Sequence, residues 1–111
     1  MTDEIPSITV GDVDDLTDPL LLDVRELDEY DAGHAPDVVF HPLATIPEAW
    51  ASLPTDQTIL VICRSGARSA NATAFLREQG LDAVNLSGGM QAWAAFGLDV
   101  VRVDGSHGQV I

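Results

Sequence analysis

Apolar residues along the chain gather into five short runs, Ser7 to Val10, Leu20 to Val24, Val38 to Phe40, Thr58 to Ile62 and Ala83 to Leu86, each of strand length. Ile59-Leu-Val-Ile62 is apolar without interruption and mostly β-branched, the pattern of a strand covered on both faces. Between the runs the hydrophobic period lengthens. Ile46, Ala49, Trp50 and Leu53 follow i, i+3, i+4, i+7, and Thr45-Ile-Pro-Glu48 has capping-box spacing ahead of them, which predicts a helix there. A second helical pattern runs from Ser69 to Gln79, with Ala72, Phe75 and Leu76 on one face and Gly80 where a terminating glycine belongs. A third runs from Met90 to Phe96 and closes at Gly97. Strands alternating with helices at this spacing predict an α/β domain with a mainly parallel sheet. In such sheets, sites form at the carboxyl ends of the strands.

At 111 residues there is room for one core, expected over residues 1–103, with Asp104-Gly-Ser-His-Gly-Gln-Val-Ile111 (104–111) as a loose tail. With 46% hydrophobic residues a chain of this size needs neither metal nor disulfide to fold. Its single cysteine, Cys63, excludes an internal disulfide and the four-ligand zinc sites built on several cysteines. His34, His41 and His107 show no regular ligand spacing, so no metal or other cofactor is expected. A lone cysteine suits a reducing compartment. No apolar run reaches the roughly 18 residues of a membrane helix, and Met1-Thr-Asp-Glu4 lacks a basic segment followed by an apolar one. The expectation is a soluble, cytoplasmic protein, a monomer with a dimer as the alternative.

Charge narrows the partners. The net charge is −13, lysine is absent, and all five cations are arginines. Nucleic acid and anionic membrane are excluded as partners on this balance, because both require a basic footprint. Residues 1–55 hold thirteen acids against Arg25 alone, net −12, and read as a solvated acidic face, with a docking face for a basic partner or adaptation to salt as the alternatives.

Against that background Arg64 and Arg68 lie within five residues of the only thiol. Cys63 directly follows the strand Thr58 to Ile62, and the helical pattern opens at Ser69. A strand, a short glycine-containing loop and a helix N-terminus form an anion cradle, in which backbone N–H groups converge and the helix dipole adds positive potential. Gly66 permits the positive φ that such a curl needs. A cysteine at the base of the cradle is held as thiolate, with its pKa lowered from about 8.5 toward roughly 3.5 to 7.5. The predicted chemistry is nucleophilic.

These residues resemble a known family, the rhodaneses, in their single-domain sulfurtransferase form. Leu22-Asp-Val-Arg-Glu26 resembles the family's early strand-end motif, and Glu29-Tyr30 with Gly33-His34-Ala35-Pro36 resembles the segment that follows it. Cys63-Arg-Ser-Gly-Ala-Arg-Ser69 is similar to the active-site loop, and Gly88-Gly89-Met-Gln-Ala-Trp93 to the late turn and helix. The resemblance runs from about Ser7 to Arg102 and rests on these four motifs in order. One departure is Asp37-Val38, where the family commonly has Gly-Ala; aspartate there would hold left-handed geometry at some strain.

The resemblance implies a rhodanese-like three-layer domain, a mainly parallel five-stranded sheet flanked by helices on both faces. It also implies a thiolate at Cys63 that takes the outer sulfur from a donor such as thiosulfate and passes it, as a persulfide, to cyanide or a thiol. The expected partners are thus a small-molecule sulfur donor and a protein sulfur acceptor. Arg64, Ser65, Gly66, Ala67, Arg68 and Ser69 form the substrate loop, and backbone N–H groups there can stabilise a persulfide without a general base. Arg64 or Arg68 would receive the donor's anionic end.

Asp23 and Arg25 close the strand Leu20 to Val24 at the same sheet edge, either supporting the loop or forming a structural ion pair. His34 is expected to be hydrogen-bonded and structural, Trp50 and Trp93 to be core residues, and Gly88-Gly89 to form a turn. Two other functions are compatible with the resemblance. A phosphatase or arsenate reductase of the same fold uses Cys-x5-Arg, but here Arg68 makes Cys-x4-Arg and Ser69 stands at the longer motif's arginine position. A carrier or non-catalytic module would act through a protein partner.

Overall fold

The computed structural model describes residues 5–111, and the Met1–Glu4 stretch read above lies outside them. The strands are β1 (Ser7–Ile8), β2 (Leu20–Asp23), β3 (Val39–Phe40), β4 (Ile59–Ile62) and β5 (Ala83–Leu86). The helices are α1 (Leu27–Ala32), α2 (Ile46–Ala49), α3 (Ala67–Glu78) and α4 (Gly89–Ala95). All strand pairings are parallel, in the order β1-β5-β4-β2-β3. The α/β class and the five-stranded parallel sheet follow the hydrophobic pattern.

β4 lies at the centre of the sheet, and all four of its residues are apolar and fully buried, as a strand covered on both faces requires. Ile59 and Val61 pack with Leu22, Val24, Ala83, Ile46, Ala72 and Leu76 on the face covered by α2 and α3. Leu60 and Ile62 pack with Val84, Leu86, Met90 and Trp93 on the face covered by α4. This alternation makes three layers from a strand of four residues. Trp93 belongs to this second core, as expected, and its Nε1–H donates to the Asp99 carbonyl at 2.8 Å.

The structure departs from the sequence pattern in four places. The first apolar run is shorter as a strand, because Val10 opens a 3-10 turn, Val10–Asp15. The helix expected from Ile46 to Leu53 is a composite of 3-10 Leu43–Thr45, α2 and 3-10 Trp50–Ser52. Its capping box does not form: Thr45 has helical backbone angles and its hydroxyl donates to the Pro42 carbonyl at 2.7 Å. A capping box occurs instead at α1, where Glu26 and Glu29 satisfy each other's backbone N–H groups. That helix, with a glutamate rather than serine or threonine at its cap, went unread in the pattern.

The fourth departure is the C-terminal segment, which is not loose. His107 and His34 both form antiparallel bridges with Val101, Gly108 N–H donates to Val100 O at 2.8 Å, and Gln109 N–H donates to Ala32 O at 2.8 Å. Backbone groups that find partners this way hold the segment on the body of the domain. Asp37 has φ 60°, so the aspartate does take the left-handed geometry expected of a glycine position. Among the described residues no helix is long and apolar enough to cross a membrane.

A Cβ at Gly33 would lie 2.6 Å from the Gln109 backbone and 2.7 Å from Val100 Cγ1. Gly33→Ala should therefore lower stability by about 1–3 kcal/mol. It should also make the chain beyond residue 103 the first point of proteolytic cleavage, checked by urea unfolding and limited proteolysis. Unchanged stability would mean that the segment yields freely.

Candidate active site

Cys63 is the first residue past β4, at the sheet's carboxyl edge, and its side chain is buried between the sheet and α3. The chain then turns through Arg64, Ser65 and Gly66 into α3, which begins at Ala67, two residues before the expected start at Ser69. Ala67 and Arg68 thus belong to the first helical turn. Gly66 caps the helix with φ 111°, a conformation that favours glycine. Its backbone N–H points at the cysteine sulfur, 3.0 Å from Sγ.

The loop is held from outside by the next turn of the fold. At the N-terminus of α4, Met90 N–H donates to Cys63 O at 2.8 Å and Gln91 N–H donates to Arg64 O at 3.0 Å. With those carbonyls fixed on α4, the following N–H groups are free to face the sulfur. The contact is so close that a Cβ on Gly89, at φ 54°, would overlap the Cys63 carbonyl oxygen and lie 2.7 Å from Arg64 C. The Gly88-Gly89 turn therefore has a second role as the wall of the loop.

Ser69 is fully buried, and its hydroxyl lies 3.3 Å from Cys63 Sγ and 2.5 Å from Asn85 Oδ1 on β5. Burial of the sulfur pushes its pKa up. The Ser69 hydroxyl and the backbone N–H groups of Ser69, Gly66 and Ser65 outweigh this, and the thiol lies below its ordinary range. Backbone N–H groups of the loop thus converge on the Cys63 sulfur.

The two loop arginines differ in what they touch. Arg68 makes a two-pronged ion pair with Glu29 on α1, Nη1 to Oε1 at 2.7 Å and Nη2 to Oε2 at 2.8 Å. The Arg68 guanidinium holds the Glu29 carboxyl down at about 2, against partial burial, and Glu29 in turn raises Arg68. Arg64 is exposed; its Nε–H donates to Ile111 O at 2.8 Å, and its Nη1 and Nη2 lie 2.9 and 3.1 Å from the Gln91 side-chain amide oxygen. Arg68 braces α3 against α1, and Arg64 stands at the mouth.

Asp23 and Arg25 form a fully buried pair, Nη2 to Oδ2 at 2.7 Å, with Arg25 Nε bonding both carboxylate oxygens at 3.0 Å. Arg25 Nη2 also donates to Gly33 O at 2.8 Å. Among the described residues neither side chain has a hydrogen bond to the cysteine loop, so the pair tightens the edge of β2 next to it. His34 Nδ1 lies 3.0 Å from Tyr30 O, and its ring stacks on Tyr30 at 4.0 Å, a structural position away from the thiol. No group of three or more His, Cys, Asp or Glu among the described residues could hold a metal ion.

Glu29 and Asn85 carried no role in the sequence reading. The Glu29–Arg68 pair spans 39 positions, beyond any local spacing rule. Asn85 did carry a signal: it is the one polar residue in the run Ala83-Val-Asn-Leu86, and a polar side chain in a buried strand requires a partner.

The comparisons agree with the geometry. The rhodanese-like domain family matches residues 10–96. A sulfurtransferase of Allochromatium vinosum is 40% identical over 107 residues, covering 95% of this chain and 100% of that protein. The crystal structure of a rhodanese-related protein from Thermoplasma volcanium superposes with a TM-score of 0.82 at 36% identity, covering 86% of this chain and 97% of the other. A rhodanese-like domain protein from Staphylococcus aureus gives 0.75 at 32% identity, covering 80% and 91%. The chain belongs to the rhodanese-like domain family.

The ion pair sets a pH dependence. Because Glu29 is depressed from 4.5 to about 2, its contribution is complete above pH 4.5 and is lost as pH falls through about 2. Arg68 is 33% exposed, so solvent screening limits the pair to about 1 kcal/mol. Glu29→Gln should lower stability by that amount at neutral pH, and the gap from wild type should close as pH approaches 2. Urea midpoints across this range test it, and a gap independent of pH would assign the loss to packing.

Proposed function

We propose that this protein is a sulfurtransferase in which Cys63 carries the transferred sulfur as a persulfide. The observation that carries the reading is the ring of donors around Cys63 Sγ, with Gly66 N–H at 3.0 Å and the Ser69 hydroxyl at 3.3 Å. The Cys63 thiolate attacks the outer sulfur of a donor such as thiosulfate. A new S–S bond forms, the donor's S–S bond breaks, and sulfite leaves with the electron pair. A thiophilic acceptor, cyanide or a thiolate of a protein partner, then attacks the outer sulfur and returns Cys63 to the thiolate. No proton has to move in either step, so the site needs donors and no general base.

Arg68 favours this reading over phosphatase or arsenate reductase chemistry. In a phosphate loop the arginine fork grips the oxyanion, whereas both prongs of Arg68 are on Glu29 at 2.7 and 2.8 Å. Ser69, at the position of the longer motif's arginine, places its hydroxyl oxygen 3.3 Å from the sulfur. The donor's anionic end is assigned to Arg64, the exposed loop cation. In a chain of net charge −13, this local positive charge has to act at short range against the field of the whole.

Incubation with thiosulfate should leave one extra sulfur on Cys63, seen by intact-mass spectrometry and removed by cyanide; no adduct at any donor concentration refutes the reading. Cys63→Ser should abolish thiocyanate formation with the fold retained. Arg64→Ala should raise KM for thiosulfate by about tenfold with a smaller change in kcat, as expected when binding common to ground and transition states is lost. Arg68→Ala should act mainly on kcat. The reverse pattern would exchange the two assignments.

A further inference from the structure

Ser69 has one hydroxyl hydrogen and two neighbours that call for it. Cys63 Sγ is 3.3 Å from the hydroxyl oxygen, and Asn85 Oδ1 is 2.5 Å from it. A carbonyl oxygen only accepts, so whenever the single hydrogen points to Asn85 the Ser69 oxygen can only accept from sulfur. That geometry suits a thiol, whose S–H donates to Ser69. It does not suit a thiolate, which needs Ser69 to donate. All three groups are buried, with Ser69 at 0%, Cys63 at 1% and Asn85 at 6% exposure, so bulk water does not supply the missing partner cheaply.

We propose that the Asn85 side-chain amide is a positioning element of the sulfur site, which directs the Ser69 hydrogen toward or away from Cys63 by turning its own oxygen or nitrogen to Ser69. With the amide oxygen inward, Ser69 donates to Asn85 and receives the Cys63 S–H. When the thiol proton leaves for solvent or buffer, the amide turns by half a revolution. Asn85 Nδ2–H then donates to Ser69 Oγ, and Ser69 O–H donates to the sulfur. The number of hydrogen bonds along Asn85, Ser69 and Cys63 is the same in both states; only their direction reverses. Asparagine is suited to this because one side chain offers both an acceptor and a donor from the same position.

The backbone supports a fixed pivot. Asn85 pairs with Val61 of β4 and Ser7 of β1, and its own N–H donates to Pro6 O at 2.9 Å, so the main chain is held on both sides. Ser69 sits in the first turns of α3, with its carbonyl accepting from Thr73 Oγ1 at 2.7 Å. Among the described residues, the charged groups around the site are Arg64 on the loop, Arg68 on α3 with Glu29 on α1, and the Asp23–Arg25 pair at the end of β2. None of these has a hydrogen bond to Asn85, so an exchange at that residue leaves their pairings in place.

The inference rests on reading Cys63 as the reactive nucleophile, but its test does not require sulfur transfer. Iodoacetamide alkylation of Cys63 as a function of pH reads the thiolate directly, whether or not the protein accepts sulfur from thiosulfate. Asn85→Asp replaces the amide by a near-isosteric group that, when ionised, can only accept, and locks the Ser69 hydrogen away from sulfur. Its alkylation profile should move up by about one pH unit, roughly tenfold slower reaction on the low-pH limb. In a Ser69→Ala background the same exchange should move the profile by much less, because the intermediary is gone. Asn85→Leu, which removes the competing acceptor, should not raise the profile. Far-ultraviolet circular dichroism identifies variants that remain folded, and at least the Asp and Leu pair must be compared. If Asn85→Asp shifts the profile equally with and without Ser69, its charge acts directly and the inference fails. It fails also if Asn85→Leu raises the profile as much as Asn85→Asp does.

Discussion

Two backbone hydrogen bonds, from Met90 N–H to Cys63 O and from Gln91 N–H to Arg64 O, determine which way the cysteine loop faces. A peptide unit has its N–H and C=O on opposite sides. Fixing two successive carbonyls on the N-terminus of α4 therefore orients the next N–H groups toward the enclosed sulfur. The bonds need α4 to approach within backbone contact, which the absence of a side chain at Gly89 allows. α4 reaches that position because Met90 and Trp93 are buried against Leu60, Ile62 and Leu86 on the sheet. The hydrophobic layer on one face of the sheet thus sets the polarity of a loop whose cysteine packs on the other.

The electrostatic design is local. A thiolate in a protein of net charge −13 has no support from the overall field, and the nearest arginine of the helix, Arg68, is neutralised by Glu29 at 2.7 Å. What lowers the Cys63 thiol pKa is dipoles: the Ser69 hydroxyl and the backbone N–H groups of Ser69, Gly66 and Ser65. Dipoles of this kind are already oriented before charge develops, so they cost little reorganisation. The Arg68–Glu29 pair contributes by geometry, tying the first turn of α3 to the first turn of α1 and preventing the ring from opening.

Much of this was legible in the sequence because it depends on local order. The continuous apolar run Ile59–Ile62 marks the central strand, and Cys63 directly after it fixes the thiol at the sheet's carboxyl edge. Gly66 marks the curl. What the pattern did not reveal depends on contacts between distant segments. Thr45 has the spacing of a helix cap, but a preceding 3-10 turn gives its hydroxyl a nearer acceptor in Pro42. The segment 104–111 has the composition of a tail, yet Ala32 and Val100 offer backbone partners that hold it. The different environments of Arg64 and Arg68 could not be read from a loop in which they are four residues apart. Glu29, 39 positions earlier, makes the difference.

On the proposed chemistry, loading the cysteine moves negative charge outward by about the length of an S–S bond, near 2 Å. A site built on one cation would lose much of its interaction over that distance. A ring of donors loses less, because groups near the mouth take over from those at the base. Ser69 and Asn85 lie at the base, below Cys63 Sγ, whereas Arg64 stands at the exposed end. The base therefore governs the free thiolate and the mouth governs the incoming donor. With both Arg68 prongs on Glu29, the Arg68 guanidinium is not available to grip a tetrahedral oxyanion. On the proposed chemistry, discrimination against an oxyanion then comes from the Glu29 carboxylate, which occupies the fork that would hold it.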